Sequence, residues 1–161
     1  MVRLLPCALV VLAVAGLAPA AEKYMGPRPP KSDIPYLVHA DNLIETEAGI
    51  ATTETRKDAT FAVMKGATSP AKTPLAEPIF IIRTDKFSPE KFEAYKLEAK
   101  DGQREVMIGH KKPKNVQRPI HLAITRLDDR LYRIEVDEPL ENGEYTLTPQ
   151  GSDDTFSFSI H

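Results

Sequence analysis

The chain of 161 residues holds one cysteine, Cys7, and no tryptophan. Cys7 falls in the first apolar stretch, so a chain processed beyond that stretch has no thiol. This excludes a disulfide framework, a thiolate nucleophile and a cysteine-ligated metal from the mature protein. Without tryptophan the strongest aromatic platform for stacking a sugar or a base is missing, and only tyrosine or phenylalanine can take that part. Neither sign of charge dominates: 21 basic residues stand against 23 acidic ones, and 20 against 23 once Arg3 is set aside. Such a balance favours solubility and gives no footprint for nucleic acid. No window beyond the first apolar run is long enough to span a membrane. Amphipathic helices of ordinary length are lacking too, as is any internal repeat.

What the chain does have begins at its first residues. Met1-Val2-Arg3 is a positive start, Leu4 to Ala18 is uncharged and apolar apart from Pro6, and Ala18-Pro19-Ala20 is a small-x-small cleavage signal ahead of Glu22-Lys23. This is the layout of a secretory signal peptide, here over residues 1–20, with cleavage after Ala20 or Ala21 or retention as an anchor. It predicts an exported protein, periplasmic or extracellular, that is not transmembrane once cleaved. Residues 21–35 carry Pro27, Pro29, Pro30 and Pro35 and read as an extended proline-rich linker. Residues 36–161 are then one domain, large enough to bury a core without staples.

That domain reads as strands throughout. Tyr36–Ala40 is a first strand. Ile44, Thr46, Ala48 and Ile50 alternate with Glu45, Glu47 and Gly49, which predicts one buried face. Thr52–Arg56 suits an exposed edge, and Thr60–Met64 is a further strand. Pro78-Ile79-Phe80-Ile81-Ile82, the most apolar run after the leader, suits a central strand buried on both sides. Ser88-Pro89 signals one short helical turn near 88–92, with Ser88 as the cap. Asp101-Gly102 offers a type I′ hairpin turn between Tyr95–Ala99 and Glu105–Ile108. Ile120–Ile124, Leu131–Val136, Glu144–Thr148 and Thr155–Ile160 complete the set, Leu131–Val136 alternating cleanly and Thr155–Ile160 strictly. The expectation is an all-β, immunoglobulin-like β-sandwich of about seven to nine strands with one helical turn, an open barrel being its nearest rival.

Pro139-Leu140-x-x-Gly143-Glu144-Tyr145-Thr146-Leu147 carries a resemblance. It is similar to the corner entering the penultimate strand of immunoglobulin-like and fibronectin type III-like sandwiches, over about a quarter of the mature chain. The resemblance implies that the Tyr145 hydroxyl bonds backbone upstream of it. The chain lacks the cysteine pair and tryptophan of true immunoglobulin domains, so architecture alone carries over. The whole chain also resembles exported bacterial proteins of unassigned function. Gly143, Tyr145, Phe80, Ile82 and Phe158 are the expected structural residues.

Catalytic patterns are not found. There is no Gly-x-Ser-x-Gly elbow and no Ser-x-x-Lys. The paired carboxylates Asp128-Asp129 and Asp153-Asp154 sit in turn-like contexts, where such side chains bond nearby backbone. The reading is therefore that the protein is not an enzyme. It is a non-catalytic exported binding or structural module of the cell envelope, with a protein or an envelope polymer as partner. The basic loop containing Lys111, Lys112, Lys114 and Arg118, and the loop over residues 67–78, are the candidate contacts. No cofactor is required. The alternative is a periplasmic copper protein using His110, Met107 and His121, since a cysteine-free exported chain would turn to histidine and methionine.

Overall fold

The computed structural model describes residues 23–112, 114 and 116–161. The leader expected over 1–20 lies outside them. The domain is all-β. Its strands are β1 (Tyr36–His39), β2 (Asn42–Glu45), β3 (Glu47–Ile50), β4 (Thr52–Arg56), β5 (Ala59–Lys65), β6 (Lys72–Thr73), β7 (Ile79–Arg83), β8 (Phe92–Lys100), β9 (Gln103–His110), β10 (Leu122–Asp128), β11 (Leu131–Val136), β12 (Gly143–Pro149) and β13 (Asp154–Ile160). Thirteen segments replace seven to nine; the expected run 44–50 breaks at Thr46, where the chain changes sheet, and the short β6 is added. One 3-10 turn, Pro89–Lys91, precedes β8; Ser88 occupies its cap position, but its side chain makes no capping bond.

Two sheets form a sandwich. The smaller has the order β10-β11-β7-β1-β2; the larger runs β3-β13-β12-β8-β9-β5-β4, with β6 added to β13. All pairings are antiparallel except that of β6. Between the sheets lie Leu37, Phe80, Ile82, Ile134 and Val136 from one side. Phe92, Ala94, Tyr145, Leu147, Phe156, Phe158 and Ile160 meet them from the other. Phe80 packs against Phe158 in an edge-to-face arrangement, and Tyr145 stacks on the Phe158 ring. The central place of β7 is as expected: Phe80, Ile81 and Ile82 are all buried.

Hairpin chemistry accounts for the turns. Asp101 and Gly102 both have positive φ, the requirement of a type I′ turn joining Lys100 to Gln103. The segment from residue 24 to 35 is not a free tether. Arg28 pairs with Asp128, Lys31 with Glu45, and Arg83 donates to the Ser32 hydroxyl and the Pro30 carbonyl. Asp33 is fastened still more firmly, its carboxylate accepting from the Thr84 hydroxyl at 2.7 Å and from two backbone N–H groups.

The alternation of Ile44–Ile50 misleads. At Thr46 the chain leaves β2 of one sheet for β3 of the other, pinned by its N–H and hydroxyl to the Pro35 carbonyl. Ala48, Gly49 and Ile50 are therefore exposed, and it is Glu47, expected on the polar face, that is half-buried. The loop over 67–78 is likewise built into the fold. Ser69, Ala71 and Thr73 are buried, and Ser69 donates to the Ser157 carbonyl at 3.0 Å.

Candidate binding site

The larger sheet curls back on itself. β3 pairs with β13 at one margin, and after a single residue, Ala51, the same ribbon becomes β4 and pairs with β5 at the other. The ribbon 47–56 thus joins the two margins, and the pairings run round a ring: ribbon, β13, β12, β8, β9, β5. Strand residues opposite one another project to the same side. Register therefore identifies the lining. Tyr95, Thr146, Ser157 and Glu47 form one row across four strands. Thr53, Ala62 and Val106 form another across the opposite wall.

β12 and β13 consequently serve two cores. Their aromatic and aliphatic side chains fill the sandwich, and their hydroxyl side chains, Thr146, Thr155, Ser157 and Ser159, are buried inside the ring. Ala51, Met64, Leu97 and Val106 supply its apolar filling.

One end of the ring is closed by charge. Arg104, 1% exposed, donates to Glu47 at 2.7 and 3.0 Å and to the carbonyls of Gly66 and Lys65. Glu144 lies 3.5 Å from the same guanidinium. Its carboxylate also receives the Thr68 hydroxyl and the Ser69 N–H, at 2.7 and 2.8 Å. That buried plug ties the ring to the 67–78 loop.

The other end is open. β8 and β9 pair only at residues 98–100 and 103–105, next to their turn, and diverge beyond it. There the ring encloses a cup of about 350 Å³. Its floor and apolar wall are Ala51, Ala62, Met64 and Val106, with Thr53 in the same row; its polar wall is Thr146, Thr148 and Thr155; Glu93, Tyr95, Ile108 and Asp153 stand round it. Ile108 reaches the rim because β9 bulges: Met107 is opposite Phe61 and Gly109 opposite Thr60, which leaves Ile108 unpaired and 47% exposed.

Four hydroxyls of the cup are already engaged as donors. The Tyr95 hydroxyl donates to Glu93 Oε2 at 2.8 Å. Burial, with the neighbouring Glu93 carboxylate, pushes the Tyr95 phenol well above its ordinary range. Thr148 donates to the Asp154 carbonyl at 2.9 Å, Thr146 to the Leu147 carbonyl at 3.2 Å, and Ser152 to Asp154 Oδ2 at 3.0 Å. Their oxygens retain lone pairs that can accept.

The residues singled out from sequence are placed elsewhere. The β9 bulge brings Met107 and His110 to one face of that strand, opposite Phe61 and Ala59. His121 stands beside the first strand of the smaller sheet, its Nδ1 2.7 Å from Asp137. His110 Nδ1 accepts the Lys112 N–H. Among the described residues no group of three or more histidine, aspartate or glutamate side chains is placed to hold a metal. Lys111 pairs with Asp58 at 2.5 Å, and Lys112, Lys114 and Arg118 are exposed. Tyr145 is buried, its hydroxyl donating at 2.7 Å to the Glu141 carbonyl four residues upstream. Of the paired carboxylates, Asp128 accepts the Asp129 N–H, and Asp154 pairs with Lys86. Glu93, Tyr95, Ile108 and the Thr146–Thr155 wall escaped the sequence reading, because hydroxyls alternating with aromatics look like an ordinary solvent face.

Comparisons with protein-family models, with curated proteins and with solved structures gave no match. Among the described residues no helix is long and apolar enough to cross a membrane.

Proposed function

We propose that this protein is an exported, non-catalytic binding module of the cell envelope, periplasmic or extracellular, and that it binds at the cup in the ring. The observation that carries this is the cup itself: about 350 Å³, mixed apolar and polar, set in strands packed on both faces. A preformed concavity of that size falls in the range of small-molecule sites. Export rests on the leader pattern of residues 1–20. The non-catalytic part rests on the commitment of the site's hydroxyls to backbone carbonyls and turn carboxylates, which suits positioning better than attack.

A ligand-observed NMR screen of a small-fragment library against the full chain tests the site. Two variants accompany it: Ala62→Phe, which fills the cup, and Ile108→Arg, which alters its exposed rim without touching a core. Fragments that bind the parent and lose binding to both variants are expected. Binding indifferent to both substitutions, or none at all, would remove the cup as the functional site.

A further inference from the structure

The character of the cup specifies its ligand further. We infer that it takes a small amphipathic cation: an organic ammonium carried on a hydrocarbon body about the size of one ring. This rests on the reading of the cup as the binding site and adds the sign and shape of what enters it.

Three observations converge. The charged residues lining the cup are Glu93 and Asp153, and its lining includes no lysine, arginine or histidine. A ligand bearing negative charge would meet two carboxylates without a counter-ion, whereas an ammonium would gain one or both. The second observation is the direction of the hydrogen bonds. With the protons of Tyr95, Thr146 and Thr148 directed at Glu93 and at backbone carbonyls, these three oxygens offer the cavity lone pairs, while the hydroxyls of Thr53 and Thr155 can turn to accept as well. Acceptors recognise N–H and O–H donors. An ammonium supplies up to three, while a carboxylate supplies none. The third is the division of the wall. Ala51, Ala62, Met64 and Val106 make an apolar side opposite the hydroxyl side. Tyr95 also lines the cavity, and an aromatic ring there attracts a cation that settles over it. The head group would sit between Glu93 and Tyr95 and the hydrocarbon against Met64 and Val106.

Isothermal titration calorimetry of the full chain at neutral pH tests this with three probes of one shape: 2-phenylethylammonium, 2-phenylethanol and 3-phenylpropanoate. The ammonium is expected to bind at least tenfold tighter than either other probe. Glu93→Gln, which keeps the shape and an acceptor for Tyr95, is expected to remove that preference, and Asp153→Asn to reduce it. Ala62→Phe is expected to weaken the ammonium at least tenfold. If all three probes bind alike and all are lost in Ala62→Phe, the cup is a site but its selectivity for cations is wrong. A parent that binds the carboxylate best, a preference that survives Glu93→Gln, or a parent that binds none of the three overturns the inference. The wider fragment screen then judges the cup on its own.

Discussion

The Arg104 guanidinium holds the Glu47 carboxylate at two points, 2.7 and 3.0 Å, across the closed end of the ring. The two residues lie on β9 and β3, strands that share no backbone pairing. Their bond spans the ring's interior where its hydrogen-bonded wall cannot. Removing the cation leaves Glu144 and the Gly66 and Lys65 carbonyls without it. Arg104→Met is therefore expected to cost about 3–5 kcal/mol. Arg104→Lys recovers only part, because a single ammonium cannot reproduce the planar fork. Urea unfolding of the two variants beside the parent measures both, and a loss under about 1 kcal/mol for Arg104→Met would show that the plug is dispensable.

Tyr145 separates ring packing from hydroxyl bonding. Tyr145→Phe keeps the stack on Phe158 and loses the bond to the Glu141 carbonyl, for a cost of about 1 kcal/mol. Tyr145→Ala opens the middle of the sandwich and should cost about 3–5 kcal/mol. Equal effects of the two substitutions would mean that the ring contributes little.

Alkali should weaken the fold through its tyrosines. Burial first, and then the Glu45 carboxylate that accepts its proton, push the Tyr36 phenol from 10.0 to about 12. Tyr95 is raised for the same two reasons, with Glu93 as acceptor. The native state thus keeps protons that the unfolded chain gives up. The associated stability is complete below about pH 10 and is lost as pH climbs to the folded values. Burial also raises the phenols of Tyr24 and Tyr145, so a spectrophotometric phenolate titration of the native protein should show four late-ionising tyrosines, one fewer in Tyr95→Phe.

Acid should act through Asp33. Burial raises its pKa, but bonds from the Thr84 hydroxyl and the Lys86 and Asp85 N–H groups outweigh that and leave it below the ordinary value. Its contribution is present above about pH 4 and fades as pH falls through the lower folded value. Asp33 has φ of 65°, a conformation asparagine tolerates, so Asp33→Asn preserves the backbone. The variant's urea midpoint should fall less steeply between pH 5 and about pH 2 than the parent's. Parallel curves would exclude the residue as the acid-sensitive fastening of the 24–35 segment.

The exposed basic loop makes a contrasting case. Lys111→Ala, Lys112→Ala and Lys114→Ala combined should change stability by less than about 1 kcal/mol, since the pair with Asp58 is solvent-exposed. Retention on an anionic envelope fraction should drop, most at low salt. A salt-graded pull-down in which parent and triple variant elute together would discard this loop as a contact.

Periodicity was a good guide to one layer and blind to the second. The run at Ile79–Ile82, the Asp101-Gly102 turn and the buried Tyr145 are properties of a few adjacent residues, and they were legible. So was the apolar face of β13. Its other face was not. Thr155, Ser157 and Ser159 have side chains that suit water or a hydrogen-bonded interior equally, so alternation alone cannot say whether more strands lie above them. Nor does sequence mark a change of sheet. Thr46 and Ala51 are the corners at which the ribbon leaves one layer and closes the ring, and neither is a glycine or a proline. The bulge at Ile108 is similarly silent, yet it sets the rim of the cup and puts Met107 and His110 on one face.

β13 lies at the heart of both compartments, with β12 along one edge and β3 and β6 sharing the other. Neither hydrophobic filling can be sealed before residue 160 is free to join. Synthesis delivers every other strand first, and these must wait, open and unpaired at their centre. The order of elements thus leaves both compartments open until β13 has joined. A variant lacking residues 154–160 is therefore expected to expose both fillings to proteases rather than to form a smaller version of the same molecule.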